Sequence, residues 1–233
     1  MAIRPYLAMT AEEIVKTDLL PPNSALMCCP FSETPPRLPD SGVLVLTDSR
    51  PADPQLSDSC IVEILQKYPV MVIVDFQKPK TAAALDFIGN LLDSLPCPVY
   101  VSDRYADAFS CPVFLSPVPL DVRLEDHIHP WKHREICLDV SGEGVRIRVT
   151  QDGAEYTHLP GYRSNVRGFF ASYLHCHYSA ATAQDTAEFL LWRTEEDMTA
   201  LLDEAEKLGV KQAIGLYREL SQKKNRSGFT ERL

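Results

Sequence analysis

Glycine is scarce: ten of 233 residues. The chain has no Gly-x-Ser-x-Gly elbow, no Gly-x-x-x-x-Gly-Lys loop and no Gly-x-Gly-x-x-Gly after an apolar run. These absences argue against a serine-hydrolase nucleophile, a phosphate-cradling loop and a dinucleotide fingerprint. No apolar stretch approaches the ~18 residues of a membrane span. The opening MAIRPYLAMTAEE has no long apolar segment before acids appear, so no secretory signal is expected. Positive charge is also in short supply: 23 Lys and Arg against 32 Asp and Glu give 23 − 32 = −9. An acidic chain with few basic clusters is not expected to bind nucleic acid or a membrane. The run Lys223-Lys224-Asn225-Arg226 reads as a solvated tail. Seven cysteines make an odd set, several of them in apolar runs. They are expected to be reduced, mostly buried thiols of a cytoplasmic protein.

What is present is a series of short apolar runs separated by turn signals. They fall at 5–9, 24–29, 42–48, 70–76, 97–103, 111–117, 134–140, 173–180, 187–193 and 211–217. Runs this short and apolar suit buried parallel strands. Some gaps carry apolar residues at helical spacing: Pro54–Lys67, Thr81–Leu95 and Thr194–Leu208. Thr194 and Asp197 sit at capping-box spacing, with Asp in place of Glu, and Gly209 is the stop. Thr10 and Glu13 match the capping box outright. The alternation predicts a single (β/α)8 TIM-type barrel of the α/β class over 1–233. Two segments break the pattern, near 137–160 and 173–193. Alternation in Val145–Val149, a turn at Gln151-Asp-Gly and a return over Glu155–Leu159 predict antiparallel hairpin insertions. A loop is expected near Ala181–Thr186.

The fourth run, VMVIVDFQKP, ends in Asp75-Phe76-Gln77. VIVDFQ resembles the fourth-strand signature of family 18 glycoside hydrolases, the chitinase-like barrels, whose strand closes with Asp, an aromatic residue and Glu. The resemblance implies that Asp75 matches the Asp that orients the substrate's N-acetyl group. It places Gln77 where that family has its general acid. The earlier acids of the signature fall on apolar residues here, such as Val72. An amide cannot deliver a proton, but it can donate and accept hydrogen bonds. Gln77 therefore implies a non-catalytic relative or a site whose acid lies elsewhere.

Other candidates follow from the barrel, whose active face is the C-terminal one. Asp48, Asp103 and Glu219 follow the third, fifth and last strands. Each is a rim carboxylate of the kind glycoside hydrolysis uses, and each is also an ordinary loop-capping residue. Glu219, preceded by Tyr217 and Arg218, is the first choice for a replacement acid. His175 and His177 are expected on one strand face, as rim contacts rather than metal ligands. His127, His129 and His133 flank Trp131 in no known ligand spacing. Tyr105, Trp131, Tyr178 and Trp192 offer sugar-stacking faces, although aromatic residues more often fill a core. No metal and no cofactor is expected.

Three functional readings remain open from the sequence. The first is a glycosidase-like barrel that does not catalyse but binds a carbohydrate or related small ligand through Asp75, Gln77, Asp48, Asp103, His175, His177 and Tyr217. The second is an active hydrolase whose acid is Glu219. The third is a structural or interaction protein without a ligand site. The oligomeric state is not legible.

Overall fold

The computed structural model describes residues 3–29, 38–49, 64, 66, 67, 69–140, 144–159, 162 and 168–221. Eight parallel strands close a TIM-type barrel. Seven of them are consecutive: β1 (Tyr6–Thr10), β2 (Ser24–Cys28), β3 (Val43–Thr47), β4 (Met71–Asp75), β5 (Val99–Ser102), β6 (Val113–Leu115) and β7 (Ile136–Asp139). The eighth, β13 (Gln212–Leu216), lies between β7 and β1. All eight were legible as apolar runs because strands buried on both faces need apolar residues at every position.

Alternation along each strand divides the core in two. Val72 and Val74 face outward with Val99 and Val101, under helix α2 (Ala82–Ser94). Ile136 and Leu138 face outward under helix α5 (Glu195–Lys207). The intervening residues fill the barrel. Strand register arranges them in layers contributed by alternate strands, as in TIM barrels generally. Tyr6, Val43, Tyr100 and Cys137 form a low layer, and Ala25, Ile73, Phe114 and Ile214 the next. Ala8, Val45, Ser102 and Asp139 follow, and Met27, Asp75, Ser116 and Leu216 top the stack. The lower layers are apolar apart from two tyrosine hydroxyls and a thiol. One of those hydroxyls, Tyr100 Oη, donates to Glu135 Oε1 at 2.5 Å below the barrel. Polarity begins in the upper two layers, at the catalytic end of this fold.

The expected helix signals hold where they can be seen. Thr10 and Glu13 cap α1 (Ala11–Lys16) reciprocally. Thr194 and Asp197 do the same for α5, and Gly209, at φ +94°, follows its end. In α2 the buried stripe is Ala84, Phe87, Ile88 and Leu91, with Leu85 and Leu92 at its margin. There are also short α-helices α3 (Asp103–Ala106), α4 (Leu124–Ile128) and α6 (Tyr217–Ser221), and 3-10 turns at His129–Trp131 and Ser172–Leu174. Of the helix expected over Pro54–Lys67, Ile64 and Gln66 are helical, and most of the rest lies outside the described residues.

The expected insertions exist, with corrected boundaries. Ile136–Asp139 is a parallel barrel strand, so the first insertion begins after Val140, not at Cys137. Its hairpin is β8 (Gly144–Thr150) with β9 (Gly153–Leu159). The second hairpin is β11 (Cys176–Ala183) with β12 (Thr186–Trp192). The two join with β10 (Phe169–Ala171) into one five-stranded antiparallel sheet, order β10-β11-β12-β8-β9. Arg193 ties this sheet to the barrel. Its guanidinium donates to the carbonyls of Val118 and Pro119 after β6 and of Leu174 and His175 before β11. Burial lowers its pKa to about 10, still above physiological pH, so the knot keeps its charge. The six described cysteines form no disulfide, and five of them are buried. Among the described residues no helix is long and apolar enough to cross a membrane.

Candidate functional site

The C-terminal ends of β3, β4 and β5 bring three expected carboxylates together. Asp75 is the last residue of β4 and shares the inward parity of Met71 and Ile73. Its Oδ1 accepts a hydrogen bond from the Gln77 side-chain amide. Asp48 is nearly buried, at 9% exposure. Its Oδ1 accepts from the Gln77 backbone N–H at 2.9 Å and its Oδ2 from Lys78 N–H at 2.8 Å. Asp48 therefore holds the loop that carries Gln77. Tyr105 Oη clamps the same loop by donating to the carbonyls of Lys78 and Pro79, at 3.1 and 3.2 Å. Ser102 Oγ donates to the Phe76 carbonyl at 2.9 Å. Phe76 is fully buried outside the barrel, against Phe87 and Tyr105, with ring centroids 6.0 Å away in each case. Asp103 opens α3, and its Oδ2 accepts from Ser116 Oγ at 2.9 Å.

Burial pushes the Asp75 carboxyl above the usual aspartate range, and the charges of Asp48 and Asp103 push the same way. The Gln77 hydrogen bond opposes them and is smaller than the burial effect. The outcome is an Asp75–Gln77 pair whose carboxyl holds its proton more tightly than a free aspartate does. Protonated Asp75 can donate as well as accept, and so can Gln77.

Asp139, missed in the sequence, belongs to this group by position. It ends β7 on the inward side, following Cys137, one layer beneath Asp75. The signal was the period-two alternation of Ile136–Asp139, hidden because that stretch reads as the start of an antiparallel insertion. Ser102 and Ser116, also inward, add hydroxyls to the same two layers.

The remaining candidates follow β13 or sit at the start of the inserted sheet's β11. Glu219 and Tyr217 are on α6, directly after β13, so Glu219 follows the last barrel strand within a short helix. Its neighbour Arg218 pairs with Glu13 at 2.5 Å. The charges that act on Asp75 are those of Asp48 and Asp103. His175 and His177 do not share a strand face, which corrects that expectation. His175 precedes β11 in the left-handed conformation, φ 48° and ψ 47°. It lines a shallow pocket of about 240 Å³ with Arg123, Glu125, Tyr173 and Glu204. His177 is stacked on Trp192, centroids 6.0 Å apart. Its Nδ1 lies 2.7 Å from Oδ2 of buried Asp197, which joins the inserted sheet to α5. Among the described residues no three His, Cys, Asp or Glu side chains are placed to hold a metal ion. Tyr105 and Trp192 are core residues, 1% and 3% exposed.

No protein-family model matches the chain, and no curated protein matches it in sequence. Solved structures do match. One is described as "C-terminal domain of putative chitinase" from Desulfitobacterium hafniense. It is 8% identical, with a TM-score of 0.52 over 93% of this chain and 94% of that one. Another is the Bacillus megaterium spore cortex-lytic enzyme SleL, 11% identical, with a TM-score of 0.49 over 91% of this chain and 69% of that one. At such identity the likeness to the first is one of fold: the chain is an α/β protein built on a closed TIM-type barrel.

Proposed function

We propose that the barrel mouth binds a carbohydrate or related polyhydroxylated small molecule through Asp75 and Gln77, without using Gln77 as an acid. The observation that supports this is the Asp75–Gln77 hydrogen bond, held at the inward rim by Asp48, Ser102 and Tyr105. Ring hydroxyls ask for adjacent groups that both donate and accept, fixed before the ligand arrives. The ligand class is taken from the resemblance of VIVDFQ to the chitinase-like signature. A panel of soluble oligosaccharides, N-acetylated ones included, tests it by thermal stabilisation. A ligand at 100 times its Kd adds about 2.7 kcal/mol. Asp75→Ala and Gln77→Ala are expected to abolish the shift. A panel without any stabilising member counts against the reading.

A second reading, hydrolysis, is favoured by the raised pKa of Asp75, the direction a proton donor needs. If turnover is found, Asp75→Asn is expected to remove it and Glu219→Gln to leave it. The reverse pattern would identify Glu219 as the acid.

A further inference from the structure

The inserted sheet ends in an open edge. β9 (Gly153–Leu159) pairs with β8 on one side, and among the described residues no strand pairs with the other. All but its last residue are exposed. Edges of this length are normally blunted by lysine, proline or a bulge. GAEYTHL has no lysine and no proline, Glu155 is its one carboxylate, and its register with β8 runs from Gly153 to Leu159 without a bulge. The apolar face of the sheet also continues to this edge. Ile147, Val149, Ala154, Tyr156 and Phe189 line one open groove of about 430 Å³. Tyr156 is 54% exposed and Val149 37%.

Hairpin geometry fixes which groups face outward. Thr150 and Gly153 flank a two-residue turn, so they are a hydrogen-bonded pair. Glu155 and Thr157 then bond toward β8, while Ala154 and Tyr156 turn their N–H and C=O away from it. A second copy of β9 meets these groups in an antiparallel register centred on Tyr156, whose outward N–H and C=O then pair across the two-fold axis. Tyr156 then faces its own counterpart as a hydrogen-bonded pair, Ala154 faces His158, and Glu155 faces Thr157. A register centred on Glu155 would set two carboxylates directly opposite each other, which is destabilising. In the register centred on Tyr156 the edge is self-complementary in hydrogen bonds and in its apolar face, with no like charges opposed, as a two-fold interface must be.

We propose that the chain forms a two-fold dimer by antiparallel pairing of β9 with β9 of a second copy, joining two five-stranded sheets into one. Light scattering coupled to size exclusion is expected to give twice the chain mass. Ala154→Pro removes an outward N–H and leaves the bonds to β8 in place. Tyr156→Glu puts two carboxylates on the two-fold axis. Each is expected to raise the dimer dissociation constant at least tenfold while circular dichroism stays unchanged. Cross-linking keeps the proposal testable if either variant misfolds. Hydrogen-bonded antiparallel partners lie about 5.5 Å apart at Cα, within the disulfide range. Tyr156→Cys is therefore expected to give a covalent dimer on mild oxidation and Glu155→Cys none. A monomer at every concentration, a dimer indifferent to both substitutions, or equal cross-linking at 155 and 156 overturns the proposal.

Discussion

Asp75 sits where burial and two neighbouring carboxylates make its charged form costly. A folded-state pKa raised above the unfolded value means that the native state holds the proton more tightly. Stability from this group is then full below the ordinary aspartate pKa of about 3.9. It is lost as pH rises through the folded pKa. Asp75→Asn removes the ionisation and keeps the shape. The variant is expected to melt above the wild type at pH 7, with the gap closing below about pH 4. Chemical denaturation across pH measures this. A gap that widens toward acid would show that Asp75 is held as a stabilised carboxylate. Asp48 holds the neighbouring loop, since both its oxygens accept backbone N–H groups. Asp48→Ala strands those donors and is expected to cost about 1–3 kcal/mol. Faster amide exchange at Gln77 and Lys78 should accompany the loss.

The barrel strands and the two capping boxes are the elements that could be read locally. Continuous apolar runs mark strands covered on both faces, and Thr10, Glu13, Thr194 and Asp197 act within four residues of each other. What could not be read depends on distant contacts. The two hairpins looked separate because the pairing of β12 with β8 joins residues far apart in the chain, such as Val145 and Leu191, 191 − 145 = 46 positions apart. β10 is three residues long and carries no alternation to find. The loop-holding role of Asp48 rests on a partner 29 residues away, and Arg193 on carbonyls 74 and 75 away. Asp197 shows how one residue can serve both ranges. It caps α5 through Thr194 N–H at 2.8 Å and meets His177 of the inserted sheet. Thr194→Ala should cost about 1 kcal/mol, the worth of a cap. Asp197→Ala loses the His177 link as well and should cost about 1–3 kcal/mol more. Equal losses in the two variants, measured by urea denaturation, would mean that the strut contributes nothing.

At the scale of the whole molecule, the barrel separates apolar packing from polar side chains along its axis. The lower layers are packed with apolar side chains and with Tyr100, whose hydroxyl is satisfied by Glu135. The upper two layers hold Asp75, Ser102, Ser116 and Asp139. Among the described residues no buried side-chain nitrogen or oxygen lacks a partner. The polar mouth is therefore a built feature of the fold, at the face where barrels of this kind carry their sites. The inserted sheet leans on the loop after β6 through Arg193, beside that face. The most direct test of the account is a calorimetric titration of wild type, Asp75→Ala and Gln77→Ala with whichever oligosaccharide stabilises the wild type best. The account predicts one saturable site in the wild type. It predicts affinity at least tenfold weaker in each variant, a loss of about 1.4 kcal/mol or more. Binding at full strength in both variants would contradict it.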